Sequence, residues 1–142
     1  MKRSGWAVFG CGLLTVALAR AATVYPVASG SFTNPAVWSS GTVPGFGDSV
    51  TLTGAFVITQ HALPIGVDDL TLASGYAGTL TLANGAANVF SNTVQISGGV
   101  LNCGSSTNEV TGPQWLWNGG TINAGTSVGI FRNTGTLTTR PV

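Results

Sequence analysis

Two stretches decide the fold: Val94-Gln-Ile-Ser-Gly-Gly-Val-Leu-Asn102 and Trp115-Leu-Trp-Asn-Gly-Gly-Thr-Ile-Asn123. They align without a gap at a spacing of 21 residues. Carrying that spacing outward produces columns. Gly78, Gly99 and Gly120 form the first, Leu80, Leu101 and Ile122 the second, and Val89, Val110 and Phe131 the third. Two residues beyond the second column stand Leu82, Cys103 and Ala124, all apolar or small. Self-similarity at a fixed period marks a repeat architecture, in which no unit buries its apolar side alone.

Within a unit, apolar residues alternate over short runs, the period of a β-strand. Gly-Gly and Asn/Ser/Gly clusters separate the runs and permit turns. A 21-residue unit of about three short strands is one turn of a parallel β-helix. The expected fold is therefore all-β: a short parallel β-helix (β-solenoid) of about 21-residue rungs, with an N-terminal capping segment. Stacking then places Leu80 over Leu101 over Ile122. It sends Cys103 inward, between Leu82 and Ala124, and aligns Asn102 with Asn123 as a side-chain amide ladder. The register loosens at both ends. Leu70-Thr-Leu72 stands 24 residues before Val94-Gln-Ile96, so that rung carries about three extra residues, near Tyr76. Thr136-Leu-Thr138 matches residues 115–117 in position but not in polarity. A β-sandwich also uses short strands and Gly-rich turns, but it does not predict matching residue types at a fixed 21-residue interval.

Composition narrows the function classes. Charged residues make up 6% of the chain, against roughly 25% in an ordinary domain. Apolar residues make up 44%, enough to bury a core, so the chain is not of the disordered class. A formal charge of +1, with no Lys beyond residue 2, leaves no basic stripe for nucleic acid. Lys2 and Arg3, the apolar run 6–19 and the Ala19-Arg-Ala21 cleavage pattern read as a secretory signal peptide. That run is short for a transmembrane helix, and no second one follows it. The expected organisation is signal peptide 1–21, N-terminal cap and first strands 22–60, and solenoid rungs 61–142. The product is expected to be secreted or at the cell surface, with no transmembrane span after cleavage. Cys11 lies inside the apolar run, so Cys103 is left alone and no intramolecular disulfide forms in the mature chain. Arg140-Pro-Val142 places a proline after the last rung. The rungs are either closed by a minimal cap or are the front of a longer stack, whose bare edge would pair with another chain.

Residues 31–60 do not follow the repeat. Pro35, Pro44 and the glycines at 41, 45 and 47 supply turns, and Val50-Thr-Leu52 and Phe56-Val-Ile58 read as first strands. The run Trp38-Ser-Ser-Gly41-x-Val43-Pro44-Gly45-x-Gly47-Asp48-x-Val50-x-Leu52 resembles the opening of bacterial secreted β-helix surface proteins of the adhesin-like kind. It is also similar to the extracellular domain named for its eight glycines. The resemblance spans residues 30–130 and implies a surface-exposed adhesive stalk or the start of a carbohydrate-active β-helix. The chain has fewer rungs than the longer members.

Candidate chemistry is sparse. The mature acids are Asp48, Asp68, Asp69 and Glu109, and His61 is the only histidine. Glycoside hydrolysis needs two carboxylates facing one sugar bond. Asp68 and Asp69 are adjacent and on a strand would point to opposite faces, so a turn before Leu70 is the simpler reading. Asp48 is better placed to satisfy backbone N–H groups of its own turn than to hold calcium, and neither His61 nor Cys103 has a ligand partner at metal spacing. No cofactor or metal site is expected. Trp115 and Trp117 share the columns of Val94 and Ile96 and read as core; Trp38 reads as a cap residue over the first rung. Thr-x-Thr pairs at 51/53, 79/81 and 136/138 do not recur at the rung spacing, which counts against an ice-binding face. The expected function is a non-catalytic structural or adhesive module, partnered by surface glycans or by its own edges. A carbohydrate-binding or carbohydrate-active β-helix is the alternative, with Trp38, Asp68 and Asp69 as its ligand-binding residues.

Overall fold

Short runs of alternating apolar and polar residues, broken by glycine turns, wind into a three-sided coil. A computed structural model describes residues 22–61, 63–83, 85–124, 130–133 and 136–139. The leader 1–21 and Arg140-Pro-Val142 lie outside the described residues, as do the side chains of Phe131 and Arg132. One circuit comprises β3 (Ser49–Leu52), β4 (Val57–Thr59) and β5 (Gly66–Val67). The next three are β6 (Asp69–Leu72), β7 (Thr79–Thr81) and β8 (Ala87–Phe90); β9 (Thr93–Ile96), β10 (Val100–Asn102) and β11 (Thr107–Val110); and β12 (Gln114–Trp117), β13 (Thr121–Asn123) and β14 (Ile130–Asn133). β1 (Thr23–Val24) and β2 (Gly30–Ser31) precede them and β15 (Thr136–Thr139) follows. Among the described residues every strand pairs in parallel with its counterpart one circuit away, and three sheets result: β1-β3-β6-β9-β12-β15, β2-β4-β7-β10-β13 and β5-β8-β11-β14. This is the expected parallel β-solenoid.

The core is the inside of the coil. Val50 and Leu52, Leu70 and Leu72, and Val94 and Ile96 stack inward from the first sheet, and Ile58, Leu80 and Leu101 from the second. Each such side chain is buried, which contributes about 1.5–3 kcal/mol relative to exposure. Leu80, Leu101 and Ile122 are register partners, as the spacing predicts. Cys103 is buried in the same stack as Leu82. The extra residues of the first interval do lie around Tyr76: its ring is buried, and its hydroxyl donates to the Phe56 carbonyl at 2.7 Å. At Gly78 a Cβ would overlap that same carbonyl, so only glycine lets the backbones approach here.

The third column is a correction. Val110 pairs with Phe90 and Asn133, while Val89 pairs with Glu109 and Phe131 with Asn108. The interval from Phe90 to Val110 is 20 residues, because the corner between the second and third sheets is one residue shorter in the later circuit. Strand side chains alternate, so this one-residue slip turns Val89 outward. A slip in the other direction resolves residues 136–138: the interval is 22, and Leu137 takes the column of Trp115. Two further positions depart from expectation. Trp115 is buried, but Trp117 is 39% exposed despite sharing the column of Ile96, and Ala124 is exposed. Both lie in the last described circuit, where no described strand pairs with the far side of β13.

The slip also creates a buried polar column. Asn88 and Asn108 are register partners, 1% and 0% exposed. Asn88 Nδ2 donates to Asn108 Oδ1 at 2.9 Å, and Asn108 Nδ2 donates to Ser106 Oγ at 2.9 Å. Asn88 Oδ1 accepts from Gln60 Nε2 at 2.7 Å and from the Ile65 N–H at 2.8 Å. Gln60 Oε1 accepts the Ala83 N–H at 3.0 Å. Buried amides are tolerated where every donor and acceptor is paired, and these are.

The cap is built around Trp38. Asn34 accepts the Ala36 N–H at 3.1 Å and starts a short 3-10 turn, Pro35–Val37. That turn delivers Trp38, 2% exposed, over the first circuit. Its Nε1–H donates to the Phe32 carbonyl at 2.7 Å, and its ring meets the Phe32 ring edge-on at 4.9 Å. β1 and β2 extend two sheets beneath this cap, whereas the third sheet begins at β5.

Candidate functional site: the aspartate corner and the outer face of the third sheet

Where the third sheet turns into the first, three aspartates meet in successive circuits. The N–H groups of Asp68 and Asp69 donate to the Asp48 carbonyl at 3.0 and 3.5 Å, and the Asn92 N–H donates to the Asp68 carbonyl at 2.8 Å. The side chains repeat the theme. Asp48 Oδ2 accepts the Gly45 N–H at 2.9 Å, closing its own turn as expected. Asp68 Oδ1 accepts the Gly47 N–H at 3.1 Å and the Ser91 hydroxyl. Asp69 Oδ2 accepts the Ser49 hydroxyl at 2.7 Å, while its Oδ1 accepts Asn92 Nδ2 at 2.7 Å and the Thr93 N–H at 3.1 Å. Each of the two adjacent carboxylates therefore reaches one circuit back and one circuit forward. They are staples between rungs.

This geometry bears on catalysis. The Ser91 hydroxyl, and after it the Gly47 N–H, hold the Asp68 carboxyl below its ordinary range. A general acid must keep its proton at working pH, and Asp68 is tuned the other way. Asp69 has both oxygens occupied. The two carboxylates diverge into separate hydrogen-bond sets rather than converging on one bond. Trp38, named with them as a sugar-binding residue, has no face to offer a ligand, because the cap buries it. Among the described residues, no group of three or more His, Cys, Asp or Glu side chains could hold a metal ion. Burial pushes the Cys103 thiol up to about 12, so it is a packing residue at neutral pH. No described helix is long and apolar enough to cross a membrane.

The outward faces hold what the 21-residue ruler missed. On the second sheet, Thr79 and Thr81 stack between Val57/Thr59 and Val100/Asn102, and Thr121/Asn123 follow. Thr51 belongs to a different sheet and pairs with Thr71. Thr51 and the Thr79/Thr81 pair thus lie on two sides of the coil, and the array on the second sheet is mixed Thr, Val and Asn. The expected amide ladder is present here: Asn123 Nδ2 donates to Asn102 Oδ1 at 2.8 Å. On the third sheet, Gly66, Val89 and Glu109 form one outward rank, and Asp68 and Ser91 begin the next. Phe46 lies across Gly66, in the space a side chain there would fill, and is 70% exposed. No constant spacing links these residues, and only the true register assembles them.

No protein-family model, curated protein or solved structure matches the chain.

Proposed function

We propose that the chain is an exported structural or adhesive β-solenoid module of a cell-surface or extracellular protein, and that this segment performs no catalysis. One observation carries the reading. The only adjacent pair of acids, Asp68 and Asp69, is committed to hydrogen bonds between circuits. Asp68 is held through Oδ1 and Asp69 through both oxygens, so the two carboxylates diverge and do not face one sugar bond as a hydrolase requires. The leader pattern at residues 1–21 supports export. The resemblance of residues 38–52 to the opening of secreted surface β-helices supports the adhesive role.

The test is to fractionate the producing cells, determine the intact mass of the exported form, and assay it on a polysaccharide panel. The reading expects an N-terminus at Ala22, recovery outside the cytoplasm, and no release of reducing ends. Retention in the cytoplasm with residues 1–21 attached would contradict export. Depolymerisation of any polysaccharide would favour the carbohydrate-active alternative.

A further inference from the structure

We infer that the outward face of the third sheet is a binding strip for neutral glycan chains, with Phe46 as its stacking platform. The inference rests on the adhesive reading and gives it a ligand class. Single exposed apolar side chains are ordinary on a protein surface, but Phe46 is held in place. Its neighbours Gly45 and Gly47 are each tied by a backbone N–H to an aspartate, Asp48 and Asp68 respectively. Its ring is seated where Gly66 has no side chain. The turn that carries the ring is held on both sides and the ring rests on Gly66, so little ordering of this loop is left for binding to cost.

The register builds the rest of the strip. From Phe46 on Gly66 the rank continues through Val89 to Glu109, in steps of about 4.8 Å. Asp68 and Ser91 run alongside it, joined by their own hydrogen bond. Asp68 uses Oδ1 for its two internal bonds, and no described residue donates to Oδ2. An aromatic face with acceptors and a hydroxyl beside it suits a sugar, which presents C–H groups on its ring face and hydroxyls around its rim. Two carboxylates, Asp68 and Glu109, repel uronates and other anionic sugars, so the strip selects uncharged chains.

The experiment titrates the exported chain with cellohexaose, chitohexaose and mannohexaose, with polygalacturonate as the anionic probe. Circular dichroism and thermal melts are recorded on every variant. At least one neutral hexasaccharide is expected to bind. Phe46→Ala is expected to weaken it by about tenfold, with Phe46→Trp retaining it and Val89→Arg blocking it, all with wild-type melts. Absence of neutral-glycan binding at millimolar ligand would overturn the proposal. So would unchanged affinity in Phe46→Ala and Val89→Arg, or a preference for polygalacturonate. Failure of these titrations with the chain still exported and folded leaves the structural module standing; failure of export does not touch the strip.

Discussion

Two asparagine pairs climb the same coil in adjacent circuits with the same amide-to-amide bond. Asn88 and Asn108 do so inside it, at 2.9 Å, and Asn102 and Asn123 outside it, at 2.8 Å. Their hydrogen bonds are alike, but their surroundings are not. Outside, water replaces any amide contact that is lost, so the ladder contributes little. Inside, Asn88 also holds Gln60 and the Ile65 N–H, and any member removed leaves buried polar atoms without partners. Position in the coil, more than the bond itself, sets what an asparagine contributes.

The largest expected effect comes from placing a charge in each column. Asn88→Asp puts a carboxylate against Asn108 Oδ1 in the core, at an expected cost of about 3–5 kcal/mol. Asn102→Asp, on the solvent side, is expected to change stability by less than about 0.5 kcal/mol. Urea unfolding of both variants checks this, and equal losses would dissolve the distinction between inside and outside. The interior can also be probed through Cys103, which precedes the inner ladder's Ser106 in the same turn. With its thiol buried and pushed up to about 12, Cys103 is expected to be alkylated far more slowly in the folded chain at pH 8 than after unfolding. Prompt labelling under native conditions would mean that this corner opens readily.

The smallest expected effect belongs to the solvent-facing staple. Asp68 has a lowered pKa, first through Ser91 and then through Gly47, so its contribution is present above its ordinary value of 3.8 and is lost as pH falls below that. Asp68→Asn is expected to flatten the acid limb of the stability curve slightly, because the group is well solvated and its hydrogen bonds are screened. An unchanged acid limb would remove the staple from the account.

The outer ladder was legible in the sequence and the inner one was not, for a physical reason. Between the first and second sheets the corner is constant in the later circuits: Val94 to Leu101 and Trp115 to Ile122 both span seven residues. The 21-residue ruler therefore holds for Leu80, Leu101, Ile122, Asn102 and Asn123. Between the second and third sheets the corner is not constant: it shortens by one residue from Phe90 to Val110 and lengthens by two from Val110 to Asn133, so the ruler lands on Val89 and Phe131 instead of Phe90 and Asn133. Asn88 and Asn108 also read as turn residues when taken alone, because asparagine usually marks loops. The same drift hid the outer strip, where Asp68 and Ser91 are 23 residues apart. Trp38 was correctly placed in the cap from its position before the first strands, and that same burial removes it as a sugar platform.

The most direct measurement is a pair of urea unfolding curves, for Asn108→Ala and Asn123→Ala, on the exported chain. Removing Asn108 strands the Asn88 amide in the core, with an expected loss of about 2–3 kcal/mol. Removing Asn123 is expected to cost no more than about 0.5 kcal/mol. A large loss in the first beside a small one in the second would place the 20-residue register, and the column it buries, in the solution fold. Equal losses, or a harmless Asn108→Ala, would contradict it.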